Sequence, residues 1–178
     1  MKIGFTGSKG VLGSALIKLL KKNNLYHFKG RVENIKEIQN WIKNNDFDAI
    51  IHLAAMVPTY LVNNCKKKAL KVNYNGTKNI IDTINKYSKK KIWFFYSSTS
   101  HVYKFNDKKT KESASTKPIS YYGQTKLLGE KYLLKNKKNI IFTKNDKKTI
   151  LYGCNMKLKK LGWKKNPLNY TDYLLNKF

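Results

Sequence analysis

The chain predicts an α/β protein, a doubly wound parallel sheet with helices on both faces. Three observations carry this. Strand-like and helix-like segments alternate from the N-terminus to about residue 145. The run "AIIHLA" at 49–54 is continuously apolar, as a strand buried on both faces requires. The glycine-spaced stretch "TGSKGVLG" at 6–13 joins the first strand to the first helix.

The elements follow in order. "KIGFT" reads as a short buried strand, and "SALIKLLKK" has helical spacing with Ser14 near its start. "LYHF" is the second strand. "ENIKEIQNWIKNN" is amphipathic, with Ile35, Ile38, Trp41 and Ile42 on one face. "AIIHLA" comes third, and a single long helix is expected over roughly 64–87. "KIWFFYSS" is the fourth strand, followed by a polar loop through Pro118. A helix carrying Tyr122 and Lys126 precedes the fifth strand, "NIIFT". Beyond about residue 145 the pattern thins into a lysine-rich tail.

The 178 residues suffice for one domain with a sizeable core. The 37 Lys+Arg against 10 Asp+Glu give a net charge of +27. A nucleic-acid surface, attraction of small anionic substrates, and lysine-rich solvated faces all fit such a charge. Its even spread along the chain favours the last. Arg31 is the only arginine, which argues against base reading, because the guanidinium fork does most of that work. Nucleic acid is therefore not the expected partner.

Cys65 and Cys154 lie far apart, and His27, His52 and His101 cluster neither with them nor with acids. No metal site or disulfide framework is expected, and a reducing cytoplasm is the expected location. "MKIGFTG" lacks signal-peptide architecture, and "AIIHLAAMV" is too short to span a bilayer.

Gly7, Gly10 and Gly13 sit where the first strand turns into the first helix. A dinucleotide site needs a tight turn there, close backbone approach to a pyrophosphate, and a helix N-terminus facing the anion. A plain loop and helix start uses glycines too. An NAD site usually places an acid after the second strand to accept from the ribose hydroxyls. Here "FKGR" supplies Lys29 and Arg31, with no acid until Glu33, and Lys9 lies inside the glycine loop. Cations at these places suit a ribose 2′-phosphate and favour NADP(H) over NAD(H). Tyr122 and Lys126 stand four apart, which stacks them on one helix face. That spacing alone leaves them either a proton-transfer pair or two ordinary helix residues.

"TGSKGVLG", "AIIHLAAMVP", "NYNGTKNII", "YSSTSHVY" and "YYGQTKLLGEK" occur in the order and approximate spacing of one family. Together they resemble the extended short-chain dehydrogenase/reductases, the nucleotide-sugar epimerases, dehydratases and reductases. The resemblance covers most of residues 1–145 and implies a Rossmann fold. The basic residue in the glycine loop looks most like that of the NADPH-using 4-keto-sugar reductases and epimerase/reductases. The resemblance implies Tyr122 as general acid/base and Lys126 as its partner. The ammonium would lower the phenol pKa and hold the nicotinamide ribose. It places the third member, a Ser/Thr, on Thr99, with Ser98 and Ser100 one residue to either side; a capped turn explains such a run equally. The implied cofactor contacts are Gly7, Lys9, Gly10, Val11, Leu12, Gly13, Lys29, Arg31, Leu53, Ala54, Ala55 and Asn73, with Tyr122 and Lys126. Asn73 also reads as a solvated helix residue, His52 as a core or cofactor-side histidine, and Glu130 as a partner for nearby lysines.

Family members continue past the fifth strand into a small domain that grips the sugar nucleotide. Here "LYGCNMKLKKLGWKKNPLNYTDYLL" follows almost at once, and "KLKKLGWKKNP" resembles the family's far C-terminal segment. The expected organisation is a dinucleotide-binding domain over 1–145 and a short C-terminal remnant over 146–178, with the substrate domain largely missing. The expected partners are a nucleotide sugar and a second copy or complementing subunit. A non-catalytic dinucleotide-binding subunit is the alternative; a basic nucleic-acid binder comes third.

Overall fold

The computed structural model describes residues 1–20, 24–57, 59–104, 110 and 114–141. The expected C-terminal remnant, with Cys154, lies outside them. Five strands, β1 (Lys2–Thr6), β2 (Asn24–His27), β3 (Ala49–His52), β4 (Ile92–Tyr96) and β5 (Ile140–Ile141), form one sheet. Its order is β2-β1-β3-β4-β5, and every pair is parallel. The chain steps from β1 out to β2, then crosses back to β3, so the strand order reverses between β1 and β3. A crevice at the carboxyl ends of the strands is expected at such a reversal.

Both faces of the sheet are covered. On one, Ile3, Phe5, Ala49 and Ile51 pack against Leu16 and Ile17 of α1 (Val11–Leu19). The other carries the larger core. There Ile50, Ile92, Phe94 and Ile140 meet Ile38 and Ile42 of α2 (Ile35–Lys43) and Ile80, Ile81 and Ile84 of α5 (Gly76–Tyr87). Leu133 of α6 (Tyr121–Lys135) completes it. All four residues of β3 are buried, as the unbroken apolar run requires. Two helix starts are fixed by side-chain caps. Asn34 accepts from the Lys36 N–H at 3.1 Å, and Ser120 accepts from the Gly123 N–H at 3.1 Å.

The long helix expected over 64–87 is present from Lys66 to Tyr87, as α4 (Lys66–Leu70), a π-helical turn (Lys71–Asn75) and α5. A shorter helix, α3 (Thr59–Asn64), precedes it, separated at Cys65 with φ −127° and ψ 51°. The π turn carries Asn73, which the sequence left open as a solvated residue and which is 0% exposed. Such wide turns accommodate one extra residue and recur at functional sites.

Three ion pairs occur among the described residues, and they engage only Lys78 and Lys90. Most of the described lysines are exposed.

Ile80 is wholly buried between α5 and the sheet. Ile80→Ala is expected to cost about 2–5 kcal/mol in urea unfolding, because it leaves a cavity that closes only in part. Leu19→Ala, at a residue 80% exposed, should shift stability by no more than about 0.5 kcal/mol.

Candidate functional site

A cavity of about 560 Å³ opens at the carboxyl ends of the strands, at the strand-order reversal. Four loops build it. Gly7 and Gly10 follow β1, with Val11, Leu12 and Gly13 opening α1. Gly30, Arg31, Val32 and Glu33 follow β2. Leu53, Ala54, Ala55 and Val57 follow β3, and Ser97 follows β4. Val72, Tyr122 and Lys126 close the wall from the helices.

The three glycines differ in what they are for. Gly7 has φ +74°, and a Cβ there would stand 2.6 Å from the Ala54 nitrogen. A Cβ on Gly13 would run into the Gly7 carbonyl and lie 2.9 Å from Ser8 Cα. These two are required by the fold itself. At Gly10 a Cβ would meet only the Gly7 oxygen, at an ordinary 3.4 Å. The protein leaves the space above Gly10 open, beside the free N–H groups of the α1 N-terminus, and a pyrophosphate needs that geometry.

A buried polar chain runs behind the wall. Strand register sets Thr6, His52 and Tyr96 side by side at the ends of β1, β3 and β4. Thr77 spends its one hydroxyl proton on the Asn73 carbonyl at 2.8 Å. It therefore accepts from His52 Nε2 at 3.0 Å, which places the imidazole proton on that nitrogen. The bare Nδ1 accepts from the Thr6 hydroxyl at 2.7 Å. The Asn73 side chain accepts from the Met56 N–H at 2.6 Å and donates to Thr125 Oγ1 at 3.1 Å. Thr125 in turn donates to the Tyr122 carbonyl at 2.8 Å. Asn73 thus ties the loop after β3 to the helix of Tyr122, and it stands behind the cavity wall.

Lys126 is 2% exposed, with its ammonium 4.1 Å from the centroid of the Tyr96 ring. Burial lowers its pKa to about 8, against a smaller raising effect from Glu130. The lowering of the Tyr122 phenol expected from Lys126 is not present. Burial instead raises the Tyr122 pKa, and the Lys126 ammonium lies over the Tyr96 ring. Glu130 also departs from expectation. It accepts from the Ser98 hydroxyl, and among the described residues it forms no ion pair with lysine.

Of the residues singled out in the sequence, Gly7, Gly10, Val11, Leu12, Gly13, Arg31, Leu53, Ala54, Ala55, Tyr122 and Lys126 share the cavity. Lys9 and Lys29 are exposed and do not line it. Thr99 caps the short turn Ser100–Val102, accepting from the His101 N–H at 3.3 Å, and it too lies off the wall. Ser97, Glu33 and Val57, with Gly30, Val32 and Val72, line it without having been anticipated. Only the rule that loops after parallel strands face the crevice could have pointed to the first three.

A parallel sheet with a glycine loop at its reversal, and Tyr122 and Lys126 facing that loop, defines a Rossmann-type protein of the extended short-chain dehydrogenase/reductase kind. A profile of the RmlD substrate binding domain family matches residues 1–145, and the chain belongs to that family. It is 31% identical over 134 residues to a GDP-6-deoxy-D-talose 4-dehydrogenase of Aggregatibacter actinomycetemcomitans, covering 71% of this chain and 45% of that protein. A dTDP-4-dehydrorhamnose reductase of Bacillus anthracis, solved in complex with NADP, superposes with a TM-score of 0.69 at 24% identity, over 78% of this chain and 51% of that one. A UDP-glucose 4-epimerase of Thermus thermophilus, solved with NAD, gives 0.67 at 17% identity, over 75% and 50%. The chain spans about half the length of these proteins. Among the described residues no helix is long and apolar enough to cross a membrane, and no His/Cys/Asp/Glu cluster could hold a metal.

His52 is buried and neutral, its pKa lowered from 6.5 to about 3, mainly by burial and further by the nearby Lys126 charge. A depressed pKa means the unfolded chain binds the extra proton first. The stability from neutral His52 is complete above pH 6.5 and is lost as pH falls toward 3. Each pH unit in that window should cost about 1.4 kcal/mol. Urea unfolding is expected to weaken by about 2 kcal/mol between pH 6.5 and pH 5, with a flatter profile in His52→Asn.

Proposed function

We propose that this chain is a nicotinamide-dinucleotide-dependent oxidoreductase or epimerase of nucleotide-sugar metabolism, with NADP(H) favoured over NAD(H). The observation that carries this is the single cavity in which the open glycine loop faces Tyr122 and Lys126. The residues fit such a cofactor. The unfilled space at Gly10 and the start of α1 would take the pyrophosphate, while Ala54 and Ala55 allow close backbone approach. Arg31 in the wall supports a 2′-phosphate; Lys9 and Lys29 are placed to add charge from outside it.

When bound, the cofactor supplies or accepts a hydride. Tyr122 exchanges a proton with the sugar oxygen that becomes ketone or hydroxyl. Lys126, charged at neutral pH, holds the nicotinamide ribose. The family resemblance assigns Thr99 the hydrogen bond to the reacting oxygen, although its hydroxyl caps the Ser100–Val102 turn off the wall; Ser97 is the hydroxyl in the wall. Residues 1–145 form the dinucleotide-binding domain in this reading, 146–178 a C-terminal remnant, and a second copy or complementing subunit is the expected partner. A non-catalytic dinucleotide-binding subunit is the second reading, favoured by the chain's span of half its relatives.

Gly10→Val is expected to fold, because its Cβ finds space, and to lose NADPH binding in calorimetry by blocking the pyrophosphate. A folded variant with unchanged affinity overturns the cofactor site. Wild type should bind NADPH more tightly than NADH in the same titration.

Tyr122→Phe should keep fold and NADPH affinity while sugar-nucleotide turnover falls about 10²–10⁴-fold, the usual scale of positioned acid–base catalysis. Tyr121→Phe is the control, since its neighbour four residues on, Thr125, carries no charge. Tight NADPH binding with no turnover in wild type selects the second reading.

A further inference from the structure

Lys126 is an ammonium without a carboxylate. Among the described residues no acid comes within ion-pair distance of it, and only 2% of the residue is exposed. A buried charge in that state normally loses its proton, so some other group must hold it charged. Four titratable groups face it. His52 at the end of β3 is neutral, and Tyr122 on its own helix is a phenol. Glu130, one turn along the helix, accepts from Ser98 and favours the ammonium only weakly, from beyond ion-pair distance. The fourth, Tyr96 at the end of β4, is in direct contact.

Tyr96 grips the same lysine twice. Its ring centroid lies 4.1 Å from the ammonium, and its hydroxyl donates to the Lys126 carbonyl at 3.2 Å. The ring is also held by a second contact. His52 stacks on it at 5.8 Å and 28°, and His52 is itself pinned by Thr6 and Thr77. Gly129 makes room for the phenol; a Cβ there would come 3.0 Å from Tyr96 Cζ. An aromatic face attracts a cation more strongly as water is removed, and this contact is nearly dry.

We propose that Tyr96 is a positioning residue: its aromatic face keeps the Lys126 ammonium charged and set in the cavity wall. This deepens the reading of Lys126 given above and rests on that reading only for its effect on cofactor binding. The hydroxyl contributes alignment of the helix, while the ring contributes the electrostatics. Phe at this position should therefore suffice and an aliphatic side chain should not.

The test uses the full chain with lysine 13C-labelled at Cε, the Lys126 signal being assigned by its loss in Lys126→Arg. The NMR titration midpoint should lie near 8 in wild type and within a few tenths of that in Tyr96→Phe. In Tyr96→Leu it should fall by a pH unit or more, a tenfold weakening of proton binding. NADPH affinity of Tyr96→Leu should accordingly drop about fivefold or more at pH 8, with the charged fraction of Lys126, and stay near wild type at pH 6. Should Tyr96→Leu fail to fold, phenylalanines of increasing ring fluorination at position 96 keep the shape and drain the ring's negative face. The midpoint must then fall with each fluorine. A folded Tyr96→Leu, or a fully fluorinated ring, that titrates like wild type overturns the proposal. Absence of NADPH binding in wild type would instead overturn the cofactor reading, and the NMR midpoints would still decide the role of Tyr96.

Discussion

The hydrogen-bond chain through His52 is the constraint on which the site depends. Its direction is forced at one end, because the Thr77 hydroxyl has a single proton and gives it to the Asn73 carbonyl. The imidazole must then donate through Nε2 and accept at Nδ1 from Thr6. Three elements are locked by this one sequence of donors: the end of β1, the end of β3 and the π turn before α5. Through the Asn73 side chain the lock extends to Met56 and Thr125, and so to the helix of Tyr122. No buried side-chain polar atom is left unsatisfied among the described residues. A fully paired network in a low-dielectric interior is rigid, whereas a broken one leaves costly orphans.

The same row handles charge. His52 stays neutral beside Lys126, which avoids two cations in one dry space. Most of the described lysines are exposed, yet Lys126 is embedded, 2% exposed. The contrast explains why a net charge of +27 says little about function here. What matters is the Lys126 ammonium, which among the described residues is the one the fold buries and sets against an aromatic ring.

The glycine loop divides its labour similarly. Gly7 and Gly13 are demanded by backbone geometry and by the approach of Ser8 and Ala54. Gly10 answers to nothing inside the protein, so its smallness serves what enters from outside. The second cation source read from the sequence, Lys9 and Lys29, points into solvent, while Arg31 and Glu33 face the cavity together.

The sequence by itself determined the parallel sheet, the glycine turn and the helix bearing Tyr122 and Lys126. Those features are periodic or local: alternating apolar runs, a short-range turn, a spacing of four on one helix. Tertiary structure decided the rest. It widened the helix expected over 64–87 into a π turn at Asn73, where a buried amide reaches Met56 and Thr125 across the chain. It took Glu130 for Ser98 instead of a lysine and placed Lys126 on Tyr96, thirty residues earlier on another strand. Spacing along a helix says which residues share a face. Which residue across the sheet meets that face depends on strand register, and the register of Thr6, His52 and Tyr96 exists only once the sheet has formed.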